Sequence, residues 1–263
     1  MMKLKFFGCS FTEGGGLDNI DYYNFLNENK LEYFPEKFET TYQWQHRDIV
    51  VDKLEQYKVE NRFSTILEKK LNNASIINLA VSQASNDYIF DKLYDVIDKN
   101  SNEIYIVFLT MITRRYWYYD LNGKKYNLNR TEFDASPFNN EEELLPLNEH
   151  YKKYLEIIFK QDDEMQRVFK QIKLLDTFAK SKNSKIIWSS WEMGDSMELD
   201  VVEKYAENVL KFEGKTLKQF CIKHKLQIHD DTNELVQDNH ISLKGNEIIA
   251  EKIYEHLQKS NII

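Results

Sequence analysis

Lys3-Leu4-Lys5-Phe6-Phe7-Gly8-Cys9-Ser10-Phe11-Thr12-Glu13-Gly14 reads as a short apolar strand that breaks into a glycine-flanked turn and presents one serine. Its counterpart near the other end of the chain is Asp238-Asn239-His240-Ile241-Ser242, a carboxylate and an imidazole two residues apart, just before an amphipathic helical run. A serine hydroxyl is a poor nucleophile at neutral pH. It needs a histidine to take its proton and usually a carboxylate to hold that histidine. Ser10, His240 and Asp238 supply these types, although a serine after a glycine is, taken alone, most often a turn residue or a helix cap.

Outward from the first strand, apolar and helical periodicities alternate. Arg62 to Leu71 has helical spacing, Ser75 to Val81 is a nearly continuous apolar run of the kind buried on both faces, and Asn86 to Ile97 is amphipathic, with Ser85 or Asn86 able to cap it. Ile104 to Leu109 and Lys185 to Trp191 read as further buried strands, Val201 to Cys221 as helix, Leu226 to Ile228 as a short fifth strand, and Asn246 to Leu257 as a closing helix. Strands alternating with helices predict a three-layer α/β/α sandwich around a mostly parallel five-stranded sheet, with chemistry at the carboxyl ends of the strands.

The 263 residues, 42% of them hydrophobic, can fill one substantial core, and a single domain over 1–263 is expected. Two stretches exceed that framework and read as insertions: about 17–60, with Tyr22, Tyr23, Tyr33, Phe34, Tyr42 and Trp44, and about 116–161, which opens on Tyr116-Trp117-Tyr118-Tyr119. Such rings either line a substrate wall or build a satellite core or subunit interface, the commoner fate of aromatics. A net charge of −8 disfavours nucleic acid as a partner. No run approaches the ~18 apolar residues of a membrane span. Cys9 and Cys221, far apart and in no metal-ligand spacing, read as unpaired thiols of a reducing compartment, so a soluble cytoplasmic protein is expected.

Gly8-Cys9-Ser10-Phe11-Thr12, Asn78 to Asp87, and Asp238 to Gly245 resemble, in order, the conserved blocks of the SGNH/GDSL hydrolases. The resemblance spans the chain outside the insertions. It implies a flavodoxin-like fold and a metal-independent, cofactor-free serine esterase working through an acyl-enzyme. Ser10 is then the nucleophile, His240 the general base and then acid, and Asp238 the orienting carboxylate. The substrate is expected to be a small-molecule or glycan ester, with an O-acetylated carbohydrate slightly favoured over a long-chain lipid because sugar faces stack on aromatic rings. An acyltransferase using the same triad and an inactive binding protein on the same fold are the alternatives.

Three departures bear on the site. Cys9 stands where the family commonly has aspartate; as a neighbour of Ser10 it is expected to face the other way. The oxyanion-hole glycine is replaced by Gln83, whose backbone N–H can still serve beside that of Ser10, and the asparagine expected after the third strand is missing. Asn86 is the candidate to replace it, against the plainer reading of a helix cap. Arg114, Arg115 and Trp117 are weak candidates for substrate binding, and His229 is expected to be structural rather than a metal ligand. Glu13 and Asp87 are loop acids near the proposed site without an assigned role.

Overall fold

The computed structural model describes residues 1–15, 17, 55–82, 84–110, 115–121, 124–130, 160–191, 199–229 and 237–263. In chain order the elements are β1 (Met2–Phe7), α1 (Ser10–Glu13), α2 (Phe63–Lys70), β2 (Ala74–Asn78), α3 (Asn86–Lys99), β3 (Ile104–Leu109), β4 (Arg115–Leu121), β5 (Lys124–Arg130), α4 (Gln161–Ser181), β6 (Lys185–Ser190), α5 (Leu199–Val202), α6 (Leu217–Lys223), β7 (Gln227–His229), β8 (Gln237–Ile241) and α7 (Leu243–Lys259). This is an α/β fold with four parallel strands, β1, β2, β3 and β6. The chain divides into two compact units, Met1–Ser82 with Lys218–Ile263, and Gln83–Leu217.

In the first unit β1 pairs with β2 in parallel, Met2 opposite Ala74 through Phe6 opposite Asn78. Leu4, Phe6 and Phe7 are buried, and Phe6 meets the edge of Phe63 at 5.7 Å between ring centroids. Each such side chain contributes on the order of 1.5–3 kcal/mol of transfer free energy. Val81 N–H donates to the carbonyl of Gly8, which carries the pairing past the strand end and into the serine turn. β2 departs from the sequence reading: it ends at Asn78, and Ile77 is exposed rather than buried. Ser242 caps α7 by accepting from Gly245 N–H, so the helix begins three residues before its apolar periodicity does.

In the second unit β3 pairs with β6 in parallel, Ile104 opposite Lys185 through Leu109 opposite Ser190. All but the first residue of each strand is buried. Ser85 caps α3 by accepting from Tyr88 N–H. Trp188 Nε1–H donates to Asp176 of α4 at 2.8 Å, a satisfied polar contact in the core. Burial nevertheless holds the Asp176 carboxyl above the usual carboxylate range.

Two further expectations are corrected. The helix read over Val201 to Cys221 is broken after Val202. Trp188 N–H donates to Asn208 O and Leu210 N–H to Trp188 O, so Val209 forms a parallel bridge on β6, and the chain then turns at Glu213 and Gly214 with positive φ. Backbone pairing to a strand edge outweighs the helical pattern. The fifth strand exists as β7, but it pairs antiparallel with β8 and not with the parallel strands. The stretch read as a second insertion opens with an antiparallel hairpin, β4 with β5, Trp117 opposite Leu128. Asn122-Gly123, between those strands, is a strong sequence signal for a two-residue turn. Tyr22, Tyr23, Tyr33, Phe34, Tyr42 and Trp44 of the first insertion lie outside the described residues.

Candidate active site

The site is built within the first unit from the ends of β1 and β8. After Phe7 the chain turns through Gly8, and Ser10 opens the four-residue helix α1 with Cys9 in extended geometry before it. Gly8 is dictated by packing: a Cβ there would stand 2.1 Å from Thr12 Oγ1. Gly14 closes the helix at φ +102°, a conformation that favours glycine, and its N–H returns to Ser10 O. Cys9 is fully buried while Ser10 is partly open, in keeping with the two neighbouring side chains facing opposite ways. Both cysteines are free, and burial pushes the Cys221 thiol up to about 12.

His240 sits near the end of β8 and brings Nε2 to 3.1 Å from Ser10 Oγ. Two neighbours fix its ring. Phe11 lies 4.6 Å away between centroids at 33°. Gly15 leaves space beside the imidazole: a Cβ there would be 3.1 Å from Nε2 and 3.1 Å from Ser10 O. Phe11 and Gly15 are site residues that the sequence reading missed. The Gly14-Gly15-Gly16 run signalled a turn but not a ring seat. Asp238 is on the same strand, two residues before His240, its backbone opposite Ile228. His229 lies on β7 opposite Gln237. Among the described residues, no cluster of His, Cys, Asp or Glu gathers to hold a metal.

Electrostatics around the serine turn come from α1 and the helical residues 55–61. Glu13 pairs with Lys58 at 3.8 Å, and Lys58 with Glu55 at 2.6 Å. Arg62 packs its Cβ close to Gly14, and burial lowers its pKa against the opposing pull of Glu55, Glu13 and Glu68. Glu13, which the sequence left without a role, therefore balances a buried cation.

The other candidates belong to the second unit. Asn86, at the start of α3 in the second unit, caps nothing; Ser85 does that. Its amide instead makes a reciprocal pair with Thr110: Nδ2–H donates to Thr110 O and Thr110 N–H donates to Oδ1, both at 2.8 Å. Asp87 pairs with Arg167 of α4, which also donates to Glu164. Arg115 and Trp117 lie on β4, whereas Arg114 and Gln83 are outside the described residues.

No protein-family model and no curated protein matches the chain. Solved structures do. The psychrotrophic esterase EstA from Pseudoalteromonas sp., in a form inhibited by monoethylphosphonate, superposes with a TM-score of 0.50 at 9% identity over 100% of both chains. An acetyl-xylooligosaccharide esterase from Geobacillus Stearmophilus gives 0.46 at 13% identity over 97% of this chain and 94% of that one. The acetyl xylan esterase AlAXEase gives 0.45 at 11%, over 97% and 98%. The likeness to EstA is one of fold: the two chains share an α/β architecture over their whole lengths.

Proposed function

We propose that the protein is a serine ester hydrolase in which Ser10 is acylated and then released by water. The observation that carries this reading is the 3.1 Å contact between Ser10 Oγ and His240 Nε2, made across 230 residues of sequence. With its proton on Nδ1, the imidazole accepts the Ser10 hydroxyl proton at Nε2 as the oxygen attacks the acyl carbon. It returns that proton to the leaving alcohol, and the same nitrogen then activates water against the acyl-enzyme. Asp238, two residues before His240 on β8, is assigned to hold Nδ1–H on the strength of the resemblance alone.

The tetrahedral oxyanion needs preorganised donors. Ser10 is the first residue of α1, so its N–H has no intrahelical partner; assigning a second donor to the backbone N–H of Gln83 rests on the resemblance alone. The Asn86 amide, already paired with Thr110 through one N–H, would have to offer its other. An O-acetylated carbohydrate is the substrate class we favour, on the aromatic content of the two insertions and their capacity to stack on sugar faces. We place the protein in the cytoplasm on its free, buried cysteines. Among the described residues no helix is long and apolar enough to cross a membrane.

One observation favours a second reading, an inactive binding protein on the same fold: the Asn86 amide is engaged with Thr110. An ester panel running from short aryl esters through acetylated sugars to acyl thioesters, with Ser10→Ala as the blank, separates the two. Turnover that vanishes in the variant supports the hydrolase. A folded wild type silent across the panel supports the binder. Transfer to an added alcohol in place of water identifies an acyltransferase using the same residues.

A further inference from the structure

Ser10 and His240 stand on segments far apart in sequence, and the tolerance of their contact is a fraction of an ångström. Packing of Phe11 on the imidazole is apolar and not directional. The directional restraint comes from two asparagines. Asn78, the last residue of β2, donates from Nδ2 to Thr12 O at 2.7 Å and to Ser64 Oγ at 3.1 Å, and its Oδ1 accepts from Ala80 N–H at 3.0 Å. Thr12 O is one of the last carbonyls of α1, which a helix cannot satisfy internally. Asn78 therefore grips the turn that presents Ser10.

Asn246, in the first turn of α7, does the same for the other segment. Its Nδ2 donates to Ile241 O at 3.3 Å and to Ser242 O at 3.0 Å, directly after His240. Its Oδ1 accepts from Phe63 N–H at 2.9 Å. Phe63 opens α2, and Arg62 at the cap position makes no side-chain cap hydrogen bond, so Asn246 caps that helix from 183 residues away. The two systems meet at adjacent residues, Phe63 and Ser64. Ser64 and Asn246 are buried, so a displaced partner leaves a polar group unpaired and the arrangement cannot slide without cost.

We propose that Asn78 and Asn246 are positioning residues that hold Ser10 and His240 at hydrogen-bond distance through the first turn of α2. This rests on the hydrolase reading. The experiment compares the rate of Ser10 phosphonylation by a fluorophosphonate, well below the lowest Tm, in wild type, Asn78→Ala, Asn246→Ala and the double variant. Asp176→Ala, which removes the acceptor of both Trp188 Nε1–H and Glu207 N–H in the second unit, is the control for lost stability alone. Each asparagine variant is expected to label about tenfold more slowly or worse. The control loses Tm but labels at the wild-type rate. The double variant loses less than the product of the singles, because both act through one turn. In ester turnover the loss falls on kcat with KM unchanged. Folded single variants that label at the wild-type rate overturn the proposal. If they do not fold, Ser64→Ala removes one hydroxyl from the bridge and is expected to slow labelling about threefold; a wild-type rate there overturns it equally. A wild type that takes no label overturns both this proposal and the hydrolase reading, whereas failure of the asparagines alone leaves the latter standing.

Discussion

At the scale of single residues, the account depends on how the imidazole is seated. A methyl at position 15 would press on His240 and on Ser10 O at 3.1 Å, closer than a carbon comfortably sits. Gly15→Ala is therefore expected to displace the ring by a few tenths of an ångström and to lower kcat by about tenfold, with a change in Tm of only a few degrees. Steady-state kinetics and calorimetry on one preparation check both halves. His240→Ala should reduce turnover by about 10³-fold or more, because it removes the base, whereas His229→Ala should leave kcat within about twofold. Equal losses in the two variants would bring His229 into the chemistry. The sequence singled out Ser10 and His240, which the fold brings to 3.1 Å of each other. The ring seat was not legible there, because the neighbours of His240 come from a segment more than 220 residues away.

At the scale of elements, the Ser85 cap was readable and the long-range pairings were not. Ser85 and Ser242 stand before helical periodicities and cap them. Asn86 shows the limit: cap preference and the family resemblance both pointed to roles, yet its amide binds the backbone of Thr110, a partner only the folded chain supplies. Asn86→Ala would remove both hydrogen bonds that its amide makes to the backbone of buried Thr110. It is expected to cost about 2 kcal/mol or more of stability in urea unfolding, with kcat near wild type in the folded fraction. A hundredfold fall in kcat would return the amide to the oxyanion hole.

On α7, burial first and the neighbouring Lys259 second hold the His256 imidazole below its ordinary value of 6.5. The unfolded chain then takes up the proton before the folded one does as pH falls. This contribution to stability is complete above about pH 6.5 and is lost as pH drops through the folded value. His256→Gln should flatten the dependence of Tm on pH below about 6.5. An unchanged slope would assign the acid sensitivity to other groups.

At the scale of the whole molecule, alternating apolar and amphipathic runs sufficed for the α/β class and for four parallel strands. They misassigned the segment after Val202, where a bridge to Trp188 overrides local preference, and the partner of β7, which takes β8 in antiparallel. Both errors have one physical origin: strand pairing is decided by which edge is near, and periodicity carries no such information. The first unit is assembled from both ends of the chain, and the two residues of the proposed chemistry belong to it. The central claim is that this assembly makes Ser10 a nucleophile. The most direct measurement is intact-protein mass spectrometry after incubation with a fluorophosphonate, followed by peptide mapping. The account predicts a single adduct on Ser10, absent from Ser10→Ala and strongly slowed in His240→Ala. A folded wild type that remains unmodified, or a Ser10→Ala protein that is modified as fast as wild type, would contradict it.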